Sequence, residues 1–475
     1  MKKCLLIALL HCLSLFPAIS FAEEAADVSG LELALPFRDH MVLQRGIDLP
    51  VWGTAPAGAP VTVEYDGQRK TTTADKDGAW RVTLDPLKAI KLASPESVPV
   101  GKVMTFTVNH NGQTTWVKLN DLVVGDVWLC SGQSNIAGKL KGKGTYQGQV
   151  ANYPGFRHWT PTDQGGWIVC SPETAGEFKK TAFYFGRDVY CESLIPIGLV
   201  TAAVGGSSIE SWLNQPPHET GKNYTKLIDP LVGLGIRGMI WYQGESNANK
   251  DKPYRPLLTS LIEGWREVWS QGDFPAYYVQ LPGYGERTNV LGDKRLGWPA
   301  LRQDQLETLA LKNTGMAITI DIGDKSVHPP NKVDTGKRLA RLALYHDYGF
   351  DQQFPTGPLY KSHRIKGPAV HIEFVYADKL MLAEKQGISP PTPSPDKSLL
   401  CLSLMGEDGV WHTAEGKIEG GRLIITSQAV PKPVAARYAY SPHPAGPLLY
   451  NKDGLPASPF TTERKLAVTK PTETD

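Results

Sequence analysis

The chain has 475 residues, 41% of them hydrophobic and 21% charged, which suits a water-soluble globular protein. At roughly 100–200 residues per domain that length allows two or three domains. The balance of 50 basic against 48 acidic residues leaves +2, too little to indicate a nucleic-acid partner.

The first segment, 1–22, reads as a secretory signal. Lys2 and Lys3 precede an apolar stretch that closes on Ser20-Phe21-Ala22 before Glu23-Glu24. Cleavage there predicts a secreted or periplasmic protein that has no membrane attachment once processed. It also removes Cys4 and Cys12, leaving Cys130, Cys170, Cys191 and Cys401. An exported chain allows disulfides between them, with pairing left open. No spacing resembles a metal site, and no cofactor is expected.

Residues 23–120 form a predicted N-terminal β domain. Short β-branched or alternating runs, Val42–Gln44, Leu49–Trp52, Val61–Tyr65 and Val103–Val108, are punctuated by Asp66-Gly67, Asp77-Gly78 and Asn111-Gly112. That rhythm predicts a small antiparallel sandwich.

From 121 to 350 apolar strand-like runs alternate with helical stretches. Candidate strands cover 122–129, 197–204, 236–242, 276–280 and 316–321. Candidate helices cover 174–194, 298–312 and 333–346, and Leu257, Leu258, Leu261, Ile262, Trp265 and Trp269 recur at helical spacing. The alternation implies a parallel sheet covered by helices. Residues 351–475 return to β patterning, as in Val370–Leu382 and Gly421–Val430.

In an open parallel sheet, reactive groups gather beyond the carboxyl ends of the strands. Those ends read Cys130-Ser-Gly-Gln-Ser-Asn135, Gly205-Gly-Ser-Ser208, Gln243-Gly-Glu-Ser-Asn247 and Ile322-Gly-Asp-Lys-Ser-Val-His328. Serine chemistry needs a base and oxyanion donors. Ser134 is the candidate nucleophile and His328 the candidate base. Gly205 and Gly206 can bring backbone N–H groups close to a substrate oxygen, and Gln243 or Asn247 can offer side-chain donors. Glu245 is the acid of its segment. Taken alone, Ser134 reads as a helix N-cap, and Ser131 as a turn residue. Gly-Gln-Ser-Asn-Ile is not G-x-S-x-G, so the elbow of α/β-hydrolases is not indicated.

Together these segments resemble the signature motifs of sialate O-acetylesterases, a family of SGNH-type carbohydrate esterases. The similarity rests on Gly125–Asn135, Gly205–Trp212, Ile240–Ala248 and Asp321–Lys332, and extends to Phe37–Arg45, Pro50–Thr54 and Tyr450–Phe460. The resemblance implies an α/β fold: a flavodoxin-like three-layer α/β/α SGNH hydrolase core flanked by N- and C-terminal β-sandwich-like regions. It implies hydrolysis of O-acetyl esters on a sugar or glycan. Ser134 would be the nucleophile and His328 the base. The Ser134 N–H, a glycine N–H at Gly205-Gly206 and the Gln243 side chain would form the oxyanion hole, and Asn135 would support the serine loop. One segment departs from the family pattern. Where members often carry Asp-Ile-His-Pro or Asp-x-x-His, this chain reads Asp324-Lys-Ser-Val-His328. Asp324, Glu245 and a backbone carbonyl are the candidates to orient the imidazole. The alternatives are an esterase of acetylated xylan or pectin, with Trp128, Trp159, Trp167, Trp212 and Trp298 either stacking on sugar rings or packing the core, and a glycan-binding protein that has lost turnover.

Overall fold

The computed structural model describes residues 30–141, 152–162, 165–249, 252–289 and 297–463. The predicted signal segment therefore lies outside the described residues.

The N-terminal part contains β1 (Glu32–Leu33), β2 (Val42–Gln44), β3 (Leu49–Thr54), β4 (Pro60–Tyr65), β5 (Gln68–Thr73), β6 (Ala79–Leu84) and β7 (Lys102–His110). Every run expected there is a strand. β5 was not expected, because Gln-Arg-Lys-Thr-Thr-Thr is polar throughout; it lies against β4, with its residues alternating between half-buried and exposed. β8 (Gln113–Gly132) then runs straight through the expected boundary at 120. Its first half pairs antiparallel with β7, and its second half is a central parallel strand. Exposed residues alternate through the first half, whereas Val127–Gly132 is buried without interruption, as expected of a strand covered on both faces.

The central sheet continues with β9 (Tyr153–Trp159), β10 (Ile168–Cys170), β11 (Ile197–Ala203), β12 (Gly238–Tyr242), β13 (Ala276–Val279) and β14 (Thr314–Ala317). The order is β10-β9-β11-β8-β12-β13-β14, and all neighbours are parallel except the β9–β10 pair. β9 was not expected, because Pro154 and Gly155 interrupt its pattern. Both precede Phe156–Trp159, the part that pairs with β11.

Alternate strand residues meet different helices. Trp128 packs against Phe185 of α2 (Lys180–Ser193) at 5.1 Å. Trp241, of opposite parity, packs against Trp265 of α3 (Tyr254–Trp269) at 6.0 Å, and Tyr278 donates to Gln305 O of α4 (Gly297–Glu307). The α2 helix starts six residues later than the expected 174. Ala175–Glu177 is a separate 3₁₀ turn, and Phe178 is extended. The fourth long helix, α5, covers Lys332–Asp347.

All five tryptophans offered as sugar platforms are at most 4% exposed, so they pack the core instead. The four described cysteines carry free thiols.

The flanking segments are tied to the core by buried polar contacts. Arg45 donates twice to the buried Asp126 carboxylate on β8, and Gln44 donates to it once. From the other end of the chain, the Tyr450 hydroxyl donates to Asp321, which also holds Arg338 of α5 in a bidentate pair at 2.6 and 2.7 Å. Ser458 accepts from Gln280 at the end of β13. The C-terminal part forms three small antiparallel sheets. Among the described residues, no helix is long and apolar enough to cross a membrane.

Candidate active site

β8 ends at Gly132, whose φ is +137° and whose absent Cβ would stand 2.1 Å from Tyr242 O on β12. Only glycine fits that approach. It lets the chain leave the sheet with Gln133 N donating to Tyr242 O, and the one-turn helix α1 (Ser134–Ala137) begins at once. Ser134 is thus the first residue of α1, not its N-cap, which is Gln133. Ser131 is not a turn residue either. It is a buried strand residue whose hydroxyl donates to Ala202 O at 2.6 Å.

His328 stands in the connection between β14 and α5. Two features fix that connection: a short parallel bridge between Tyr284 and Asp324, and Asn331, which caps α5 by accepting from Asp334 N. The fold brings His328 Nε2 to 2.8 Å from Ser134 Oγ, across 194 residues of sequence. Both lie on a cavity of about 440 Å³, also lined by Asn135, Lys180, Asp324 and Lys332. Partial burial, and then the positive charge of Lys332, hold the imidazole below its ordinary pKa, which favours the neutral form able to accept a proton.

The Gly205 backbone lies beside the serine. A methyl group placed on Gly205 would sit 3.7 Å from Ser134 Cβ. The N–H groups of Ser134, Gly205 and Gly206 make no hydrogen bond within the described residues. Gln243, by contrast, is already engaged. Its amide donates to Ser207 O at 3.2 Å and Asn247 Oδ1 at 2.8 Å, and its Oε1 accepts from Tyr254. Both of its N–H hydrogens are used, so in this geometry it holds the Gly205–Ser208 turn and is not a free oxyanion donor. Asn247 is partly committed: one amide N–H donates to Glu210, and its oxygen accepts from Ile209 N and Gln243.

Neither expected carboxylate touches the imidazole. Asp324 Oδ1 accepts from Ser326 N at 2.8 Å, closing its own loop. Glu245 Oε1 accepts from Asn135 Nδ2, and its other oxygen is buried without a partner among the described residues. Burial raises the Glu245 pKa. The Asn135 amide also donates to Val327 O at 3.0 Å, and its oxygen accepts from Lys332 Nζ at 2.6 Å. Asn135 therefore does more than support the serine loop, because it joins that loop to the segment carrying the base. Sequence reasoning passed over Lys332. A cation in the first turn of a helix opposes the helix dipole, and that anomaly was the available signal.

The residues 124–345 match the family model described as carbohydrate esterase, sialic acid-specific acetylesterase. A crystal structure of a carbohydrate acetylesterase from Xanthomonas citri superposes with a TM-score of 0.78 at 31% identity, covering 91% of this chain and 99% of that one. The chain belongs to the sialic acid-specific acetylesterase family of carbohydrate esterases. Within the acetylesterase family it is also similar to the sialate O-acetylesterase of Homo sapiens, at 26% identity over 94% of each chain. The Rattus norvegicus sialate O-acetylesterase is 26% identical over 75% of this chain and 81% of its own. The acetylesterase match opens within β8 and closes within α5, so it encloses both Ser134 and His328.

Proposed function

We propose that the chain is an exported serine esterase that removes O-acetyl groups from sugars. The observation that carries this reading is the 2.8 Å contact between Ser134 Oγ and His328 Nε2 on an accessible cavity. Ser134 Oγ attacks the acetyl carbonyl while its proton passes to His328 Nε2. The N–H groups of Ser134 and of the Gly205-Gly206 turn stabilise the oxyanion. The carbon–oxygen bond to the sugar breaks, and the alkoxide leaves with the proton held by His328. His328 then deprotonates a water that attacks the acetyl-enzyme, and acetate departs as the proton returns to Ser134.

The imidazole acts without a carboxylate bonded to it. Its Nδ1 makes no hydrogen bond among the described residues, and its orientation comes from the backbone around it, with His328 N donating to Ser326 Oγ. The same reading makes 1–22 a signal peptide and places the site in an SGNH-type flavodoxin-like three-layer α/β/α domain over 121–350. β-Sandwich-like regions at 23–120 and 351–475 flank it. The intact serine–histidine pair favours turnover over glycan binding alone, and with the five candidate tryptophans buried the polysaccharide alternative gains no stacking surface from them.

The test is acetate release from p-nitrophenyl acetate and from O-acetylated sugars by the wild type and by Ser134→Ala. Loss of release in the variant is expected. Undiminished release would refute the assignment.

A further inference from the structure

Lys332 is the first residue of α5 and is only 7% exposed. Its Nζ donates to Asn135 Oδ1 at 2.6 Å and to Pro329 O at 2.7 Å, and lies 5.5 Å from the centre of the Tyr242 ring. Asn135 directly follows the nucleophile, and Pro329 directly follows the base. The Asn135 amide reaches Val327 O, on the other side of the base. One ammonium and one amide therefore grip both chain neighbours of His328 and tie them to the residue beside Ser134. A buried cation in this position is costly to desolvate, and it lies where the helix dipole also disfavours it.

We infer that Lys332 is a positioning residue for the esterase reaction, setting the Ser134–His328 separation by bridging Asn135 and Pro329. The inference rests on the reading of Ser134 and His328 as nucleophile and base. Lys332 touches neither reacting atom. It acts by holding two loops in register, and small misplacements of reacting groups are costly in rate. The other charges around it are Glu245, beyond β12, and Lys180, at the start of α2; Asp324 shares the cavity with His328. The Lys332 charge also acts on His328, lowering its pKa.

The experiment compares full-length wild type, Lys332→Met, Lys332→Gln, Asn135→Ala, the Asn135→Ala/Lys332→Met double variant and Ser134→Ala on p-nitrophenyl acetate between pH 5 and 9. Neutralising Lys332 is expected to lower kcat roughly 10- to 100-fold with KM within about twofold. It should also move the acid limb of kcat/KM to higher pH, because the cation that depresses the imidazole is gone. The double variant should fall little below the worse single, since both substitutions break one bridge. A folded neutral variant with parental kcat and an unmoved acid limb overturns the inference. So does failure of both Lys332 variants to give the parental circular dichroism, which makes the residue a folding element only. Full activity in Ser134→Ala would instead refute the underlying site assignment.

Discussion

Asn135 Nδ2 donates to Val327 O, so the residue after the nucleophile holds the residue before the base. The reactive pair is thus set by backbone and amide contacts, with the acid of the network, Glu245, separated from His328 by Asn135 and Val327. Several expectations depend on that arrangement.

Ser134→Ala and His328→Ala should each lower kcat by at least about 10³-fold, as loss of one member disables a unit that works together. Acetate release under saturating p-nitrophenyl acetate measures this, with circular dichroism to verify folding.

The dependence on pH follows from the depressed imidazole. A lowered pKa keeps His328 neutral to more acidic pH, so the acid limb of kcat/KM should fall below the ordinary histidine value of about 6.5. A profile with its acid limb above that value contradicts the environment described for His328.

Glu245→Gln and Asp324→Asn should each retain kcat within about tenfold. Removing the acid that contacts the histidine of a serine triad costs about 10⁴. Here no carboxylate makes that contact, and each amide can keep the acceptor that the existing bonds use. A loss near 10⁴ in either variant would show a direct acid partner.

Gly132→Ala should destabilise the fold by about 3 kcal/mol or more, through a strained φ and a clash with Tyr242 O. Urea denaturation reads the difference. A midpoint equal to the parent's would mean that β8 and β12 separate readily at this point.

Stability should also respond to Lys332. Burial lowers its pKa from 10.5 to about 7 in the folded chain. Between those values the unfolded chain binds more protons, so this group makes stability rise as pH rises. That part of the rise should be absent in Lys332→Met when unfolding free energies are compared at pH 7 and pH 9.

Residue patterning along the chain sets the periodicities and the apolar strands, hence the alternating core, and it points to Ser134 and His328 through their places at strand ends. Those are local properties: burial on both faces demands runs such as Val127–Cys130, and turns demand glycine. What each polar group spends its hydrogen bonds on follows from the folded arrangement. Gln243 and Asn247 look like free donors as letters, yet Gln243 spends both of its N–H groups on Ser207 and Asn247, and Asn247 spends one on Glu210. Asp324 looks like an orienting acid and instead closes its own loop. Lys332 reads as a solvated lysine in an unfavourable first-turn position until the approach of β8 and α5 buries it against Asn135 and Pro329. Hydrogen-bond allocation depends on distances between segments far apart in the chain, and no spacing within one segment encodes it.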